Sequence, residues 1–154
     1  MGQKDNPKVI GLRPIEARAL HQQDLGLLEH FLDECLIICN GVDVGIQLRK
    51  HVKRRTGLEH WNEICRIAIC RSLSNRTPPP KFTSGGESPI EMEWKTFAGD
   101  ISSELSALIL LRAYTDGIDI HSKDALAGYF RAHLERGIGT LQNVRSIAEM
   151  VNLN

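Results

Sequence analysis

Aromatic side chains are scarce: two Trp, two Tyr and four Phe in 154 residues. A platform that stacks single-stranded bases needs several exposed rings on one surface, so that class of binder is excluded. The core must come mainly from Leu, Ile, Val and Ala. No stretch reaches the ~18 uninterrupted apolar residues of a membrane helix. The opening MGQKDNPK lacks an export signal's apolar stretch, and Asn6 stands where a myristoylation site needs Ser or Thr. A cytoplasmic protein with reduced thiols and no membrane partner is expected. Also missing are GxSxG, a Walker loop, GxGxxG and HExxH. Gly85-Gly86 is not followed by the Lys-Ser or Lys-Thr of a phosphate loop. With no nucleophile beside an obvious base, the chain reads as a non-enzyme.

The four cysteines give no CxxC spacing. Cys35 and Cys39 are four apart, Cys65 and Cys70 five apart, and each sits in an apolar run, where cysteine behaves as a small hydrophobe. Asp116, Asp119, His121 and Asp124 cluster without the alternating ligands of a calcium loop and read as a turn between helices. No metal or cofactor is expected. The competing reading, a nicking enzyme or metal protein, would use these cysteines or this acidic turn.

What the chain does have is sorted charge. The formal net charge is zero, yet Arg49 to Lys81 contains nine Lys or Arg and only Glu59 and Glu63 as acids, a net of +7 against −7 for the rest. The densest part is RKHVKRR, Arg49 to Arg55, directly before Thr56-Gly57. Concentrated cation on an otherwise acidic protein points to a polyanion, nucleic acid above all. The alternative is a solvated helix face.

Periodicity indicates a mainly helical, all-α domain. From Pro14, Leu20, Leu27, Leu28, Phe31, Leu32 and Cys35 recur at spacings of three and four. Asn40-Gly41 flanked by Ile37, Ile38, Val42 and Val44 suggests a short strand or extended segment. A basic helix from about Val44 to Arg55 follows, with Leu48 and Val52 inward and Gly57 as its left-handed stop. The next helix buries Trp61, Ile64, Cys65, Ala68, Ile69 and Ser72, while Arg66 and Arg71 point elsewhere. Asn75 to Ser88, with Pro78-Pro79-Pro80, is a surface loop. A helix from about Trp94 to Tyr114 is apolar nearly all round at ELSALILLRAY, which predicts burial on every side and an oligomer interface. A last helix spans about Ser122 to Val151, with a kink or close backbone approach near Gly137 and Gly139. Strand, basic helix, turn and second helix is the order of a ribbon-helix-helix or helix-turn-helix unit. Only Gln47 and Asn62 there are suited to reading base edges, so contact with backbone phosphates is expected.

At RRTGLEHWNEICRIAICRSL, Arg54 to Leu73, the chain resembles the DndE family of DNA sulfur-modification (phosphorothioation) proteins. The pattern falls on Thr56, Gly57, Asn62, Arg66, Ala68, Ser72 and Leu73, with support from WKTFAG (Trp94 to Gly99) and FRAHLERGIGTL (Phe130 to Leu141). The resemblance covers roughly residues 45 to 145. It implies a helical, tetrameric subunit that binds nicked duplex DNA through lysines on the basic helix and acts beside other Dnd proteins. The matching cations are Lys50, Lys53 and Arg55, with Arg49 and Arg54 as neighbours and Arg66 and Arg71 on the partner helix. Residues 1–44 then form an N-terminal extension with one helix, longer than many members have. Residues 45–154 form the DndE-like domain, with its Pro/Gly loop at about 75–89. The expected function is a DNA-binding subunit of the modification system; the alternative is a scaffold for the sulfur-transfer enzymes with little DNA binding of its own.

Overall fold

The computed structural model describes residues 37–38, 42–81 and 91–152. The stretch from Pro14 to Cys35, Cys39 and the Gly85-Gly86 part of the loop lie outside the described residues. In chain order come a two-residue strand β1 (Ile37–Ile38), helix α1 (Val42–Thr56), helix α2 (Trp61–Ser74), strand β2 (Glu91–Met92), helix α3 (Trp94–Ala98), a 3-10 turn (Gly99–Ile101), and helices α4 (Ser102–Thr115), α5 (Lys123–Thr140) and α6 (Ile147–Val151). The fold is all-α, as expected.

β1 and β2 pair antiparallel, Ile37 opposite Met92 and Ile38 opposite Glu91. The extended segment expected around residues 37–44 is therefore confined to two residues, because Val42 and Val44 already belong to α1. Their β-branched preference, worth only a few tenths of a kcal/mol per residue, is overridden by the helix that buries Leu48 and Val52. The strand's partner lies in the same chain, which differs from the two-chain ribbon of a ribbon-helix-helix dimer.

The core is organised by α2 against α5. The predicted stripe Trp61, Ile64, Cys65, Ala68, Ile69 and Ser72 is buried throughout, and α5 supplies Leu126, Tyr129, Phe130 and Leu134. The pair runs antiparallel: Ser72 meets His133 and, one turn away on both helices, Ala68 meets Gly137. A Cβ on Gly137 would fall inside the Ala68 carbonyl. The close approach expected near this glycine is thus an approach of two backbones. Three of the few aromatics cluster around Phe97, with Trp94–Phe97 and Phe97–Phe130 ring centroids each 5.4 Å apart.

Two long helices expected from the sequence are interrupted. The helix from Trp94 to Tyr114 breaks at Gly99, whose φ of 57° is left-handed. The break frees the Phe97 carbonyl for Arg66, whose guanidinium donates to it at 3.0 Å. A side chain at position 99 would meet that same guanidinium at 3.1 Å. The helix from Ser122 to Val151 ends at Thr140, and a new one starts where the Ser146 side chain accepts from the Glu149 N–H. Finally, α4 is not enclosed on every side within the chain. Leu105, Ser106, Ile109, Leu110 and Ala113 are buried, but Leu108, Leu111 and Tyr114 are 43%, 54% and 56% exposed.

Candidate nucleic-acid interface

The basic helix is held by its inner side. Leu48 and Val52 are buried one turn apart, and the half-buried His51 is bonded through Nε2 to the Val144 carbonyl at 3.0 Å. At 100° per residue this geometry puts Gln47, Lys50, Lys53 and Arg54 on the outer face, and all four are exposed. Arg55 comes round toward Val52 but remains exposed. Arg49 is carried on the same helix. The helix stops as its sequence predicts. Gly57 takes φ 79° and returns its N–H to the Lys53 carbonyl at 2.9 Å. Thr56 Oγ1 donates to the Val52 carbonyl at 2.8 Å and accepts from the Leu58 N–H at 3.3 Å. The three cations of the last turn thus surround the helix's negative end.

Among the described residues, one of them has an acidic neighbour. Lys53 Nζ lies 3.2 Å from Glu59, across the turn, with both side chains exposed. Such a pair is worth at most about 1 kcal/mol. A phosphate can displace it.

The two other cations in the expected set occupy the scaffold. Arg66 reaches Phe97 as described. Arg71 donates to Thr140 Oγ1 at 3.0 Å and, through one nitrogen, to the carbonyls of Glu149, Met150 and Asn152 at 2.8–2.9 Å. It closes the C-terminal end of α6, a short helix whose final carbonyls lack partners of their own. Asn62, one of two expected base readers, donates to the Thr96 carbonyl at 3.0 Å and accepts from the Glu63 N–H. Among these three, fixed partners replace the free polar groups that the sequence suggested.

A second polar centre, at the C-terminal end of α2, escaped the sequence reading. Arg112 Nε donates to Asp116 at 3.0 Å, and its remaining nitrogens donate to the carbonyls of Leu73, Asn75 and Arg76 at 2.7–3.0 Å. Arg136 donates to Ser72 Oγ, the Ser72 carbonyl and the Thr77 carbonyl at 2.6–2.8 Å. Ser72 Oγ lies 2.9 Å from His133 Nδ1. Arg136 Nη2 also faces Nδ1, at 3.4 Å; a guanidinium only donates, so Nδ1 is the accepting nitrogen and the imidazole proton is assigned to Nε2. Burial, reinforced by Arg136 and Arg112, pushes His133 down to about 4. Burial alone would raise the Asp116 carboxyl, but hydrogen bonds from Tyr129 and Arg112 outweigh it and hold the group below its ordinary value. Burial and the 2.6 Å bond to Asp116 raise the Tyr129 phenol. Ser72 and His133 are buried, so this is a structural linkage with no path for a substrate. Its signal in the sequence is Arg112 inside the apolar run ALILLRAY, a charge that helix burial must satisfy.

Among the described residues no group of three or more His, Cys, Asp or Glu is arranged to hold a metal. Cys65 is buried and Cys70 half-buried, its thiol raised by burial. No helix among these residues is long and apolar enough to cross a membrane.

Comparison with known proteins gives one match. The family model described as DNA sulphur modification protein DndE aligns with residues 45–149, from within α1 to within α6. No curated protein and no solved structure gives a match.

Proposed function

The chain belongs to the DndE family of DNA sulphur modification proteins, and on that premise we propose that it serves the modification system as a DNA-binding subunit. Family membership implies work alongside DNA and the other Dnd proteins. The observation that carries the DNA-binding reading is the outer face of α1. Lys50, Lys53 and Arg54 stand together there, with Arg55 beside them, all exposed on a helix fixed from behind by Leu48, Val52 and His51. A fixed helix holds cations at set spacings, as binding to the regularly spaced phosphates of a duplex requires. With Asn62 occupied and Gln47 the remaining amide, binding is to the backbone and independent of sequence. A nicked duplex is the preferred form, and the protein acts without catalysing a reaction.

A homotetramer is the second part of the proposal. It is supported by the stripe of Leu108, Leu111 and Tyr114, which α4 leaves uncovered and which a second copy would bury. The same stripe favours the runner-up, a scaffold that binds the sulfur-transfer enzymes and contacts DNA little.

Titrating intact, nicked and single-stranded DNA across salt tests the reading. Four phosphate contacts by the basic helix contribute about −3.6 to the log–log slope. Changing Lys50, Lys53, Arg54 and Arg55 to Glu should abolish binding while circular dichroism stays unchanged. If that folded variant binds as the wild type does, the DNA reading fails; if it also retains the Dnd partners, the scaffold reading takes its place.

A further inference from the structure

A helix C-terminus is normally its anionic end, with about half a negative charge spread over unbonded carbonyls. In α2 this end is inverted. Arg136 covers the Ser72 carbonyl, Arg112 covers that of Leu73, and Ser74 Oγ covers that of Arg71. Arg71, Arg112 and Arg136 crowd the last turn. Among the described residues, Asp116 is the one carboxylate bonded to any of the three through a side chain. Burial and the neighbouring Arg112 both bear down on the Arg136 guanidinium, as expected where cations outnumber their counter-charges.

The same two arginines continue into the segment beyond the helix, where they take the carbonyls of Asn75, Arg76 and Thr77. Asn75 Oδ1 accepts from both the N–H and the hydroxyl of Thr77. Pro78, Pro79 and Pro80 then stiffen the chain toward an extended helix that lacks internal hydrogen bonds. On this frame the side chains of Arg76 and Lys81 are exposed, and neither is bonded to another described residue. Two cations held on a backbone fixed by three carbonyl bonds lose little conformational freedom on meeting a fixed anion.

We infer that residues 75–81, with Arg76 and Lys81 as ligands, form a second phosphate-contacting edge for the DNA backbone, at the opposite end of α2 from the basic helix. The inference rests on the DNA-binding reading above. The 14 residues of α2 separate the two edges by ~20 Å at 1.5 Å per residue. That span exceeds the major groove's width of about 12 Å, so one protomer can touch the backbones of both strands.

The test compares three variants with the wild type on one nicked duplex, each checked for folding by circular dichroism. Arg76→Gln with Lys81→Gln should weaken binding about tenfold and flatten the salt slope by about 1.8, the share of two phosphates. Replacing Pro78, Pro79 and Pro80 by Gly keeps both cations, so it should weaken binding about threefold at unchanged slope, through lost rigidity alone. The charge-reversed basic helix serves as the reference. Loss of binding in that reference, with the Arg76/Lys81 variant unchanged in affinity and slope, overturns the second edge and leaves the main reading standing. A wild type that does not bind the duplex overturns both. An Arg76/Lys81 variant that keeps its DNA affinity but no longer co-purifies with its Dnd partners also overturns it, and makes the loop a protein-docking element.

Discussion

The two ends of α2 carry cations in opposite states. At its N-terminal end the last two turns of α1 display Lys50, Lys53, Arg54 and Arg55 toward solvent, with Glu59 as their single acidic contact among the described residues. At its C-terminal end Arg71, Arg112 and Arg136 are spent on carbonyls, hydroxyls and Asp116. The charges are alike and the consequences are not. An unpartnered surface cation is available to a ligand and contributes little to folding. A cation that has left water must be fully bonded, and its removal strands its partners. What a positive residue does here follows from how many carbonyl oxygens surround it.

The largest effect should come from attacking the bonded end. Arg112→Met takes the counter-charge from Asp116 and leaves the carbonyls of Leu73, Asn75 and Arg76 without that donor, which should cost about 3 kcal/mol in urea unfolding. Neutralising Lys50, Lys53, Arg54 and Arg55 to Gln should leave each contribution to stability within about 0.5 kcal/mol while removing most DNA affinity. If the two sets lose stability equally, the comparison collapses.

Acid should loosen the bonded end next. His133 titrates near 4 in the folded chain and near its ordinary 6.5 when unfolded. Its contribution is therefore complete above pH 6.5 and declines as pH falls toward 4, because the unfolded chain takes up the proton more readily. The decline should be on the order of 3 kcal/mol. His133→Gln should flatten the stability profile over that window. An unchanged profile would mean that the imidazole takes up its proton equally readily in the folded and the unfolded chain.

The smallest effect belongs to the open end. Glu59→Gln releases Lys53 and should tighten duplex binding about two- to threefold, with stability moved by less than about 0.5 kcal/mol. Weaker binding would show that the pair positions Lys53 for DNA.

The open end was the more legible in the sequence. Thr56-Gly57, Leu48 and Val52 specify a helix, its stop and its inner side by local chemistry alone. The stripe from Trp61 to Ser72 follows the helical period without exception, so α2 could be read residue by residue. The carbonyl partners at the bonded end lie 36 to 81 residues away in the chain, that of Arg66 lies 31 away, and periodicity carries no information at that range. Arg66 and Arg71 looked like Lys50 for this reason. The break at Gly99 was hidden too: a glycine among helix formers signals a modest cost, while its left-handed geometry serves Arg66, an element away.

Gly137 sets a tolerance for the whole arrangement. Backbone touches backbone at Ala68, with no side chain between them to flex, so the spacing of α2 and α5 is fixed to tenths of an ångström at that one point. One turn along, that same spacing is what allows Ser72 and His133 to meet at 2.9 Å and Arg136 to span from Ser72 to Thr77. A methyl group at position 137 would act as a shim. It would open the gap between the helices, lengthen each of those bonds in turn, and unfasten a surface loop without touching any residue in it.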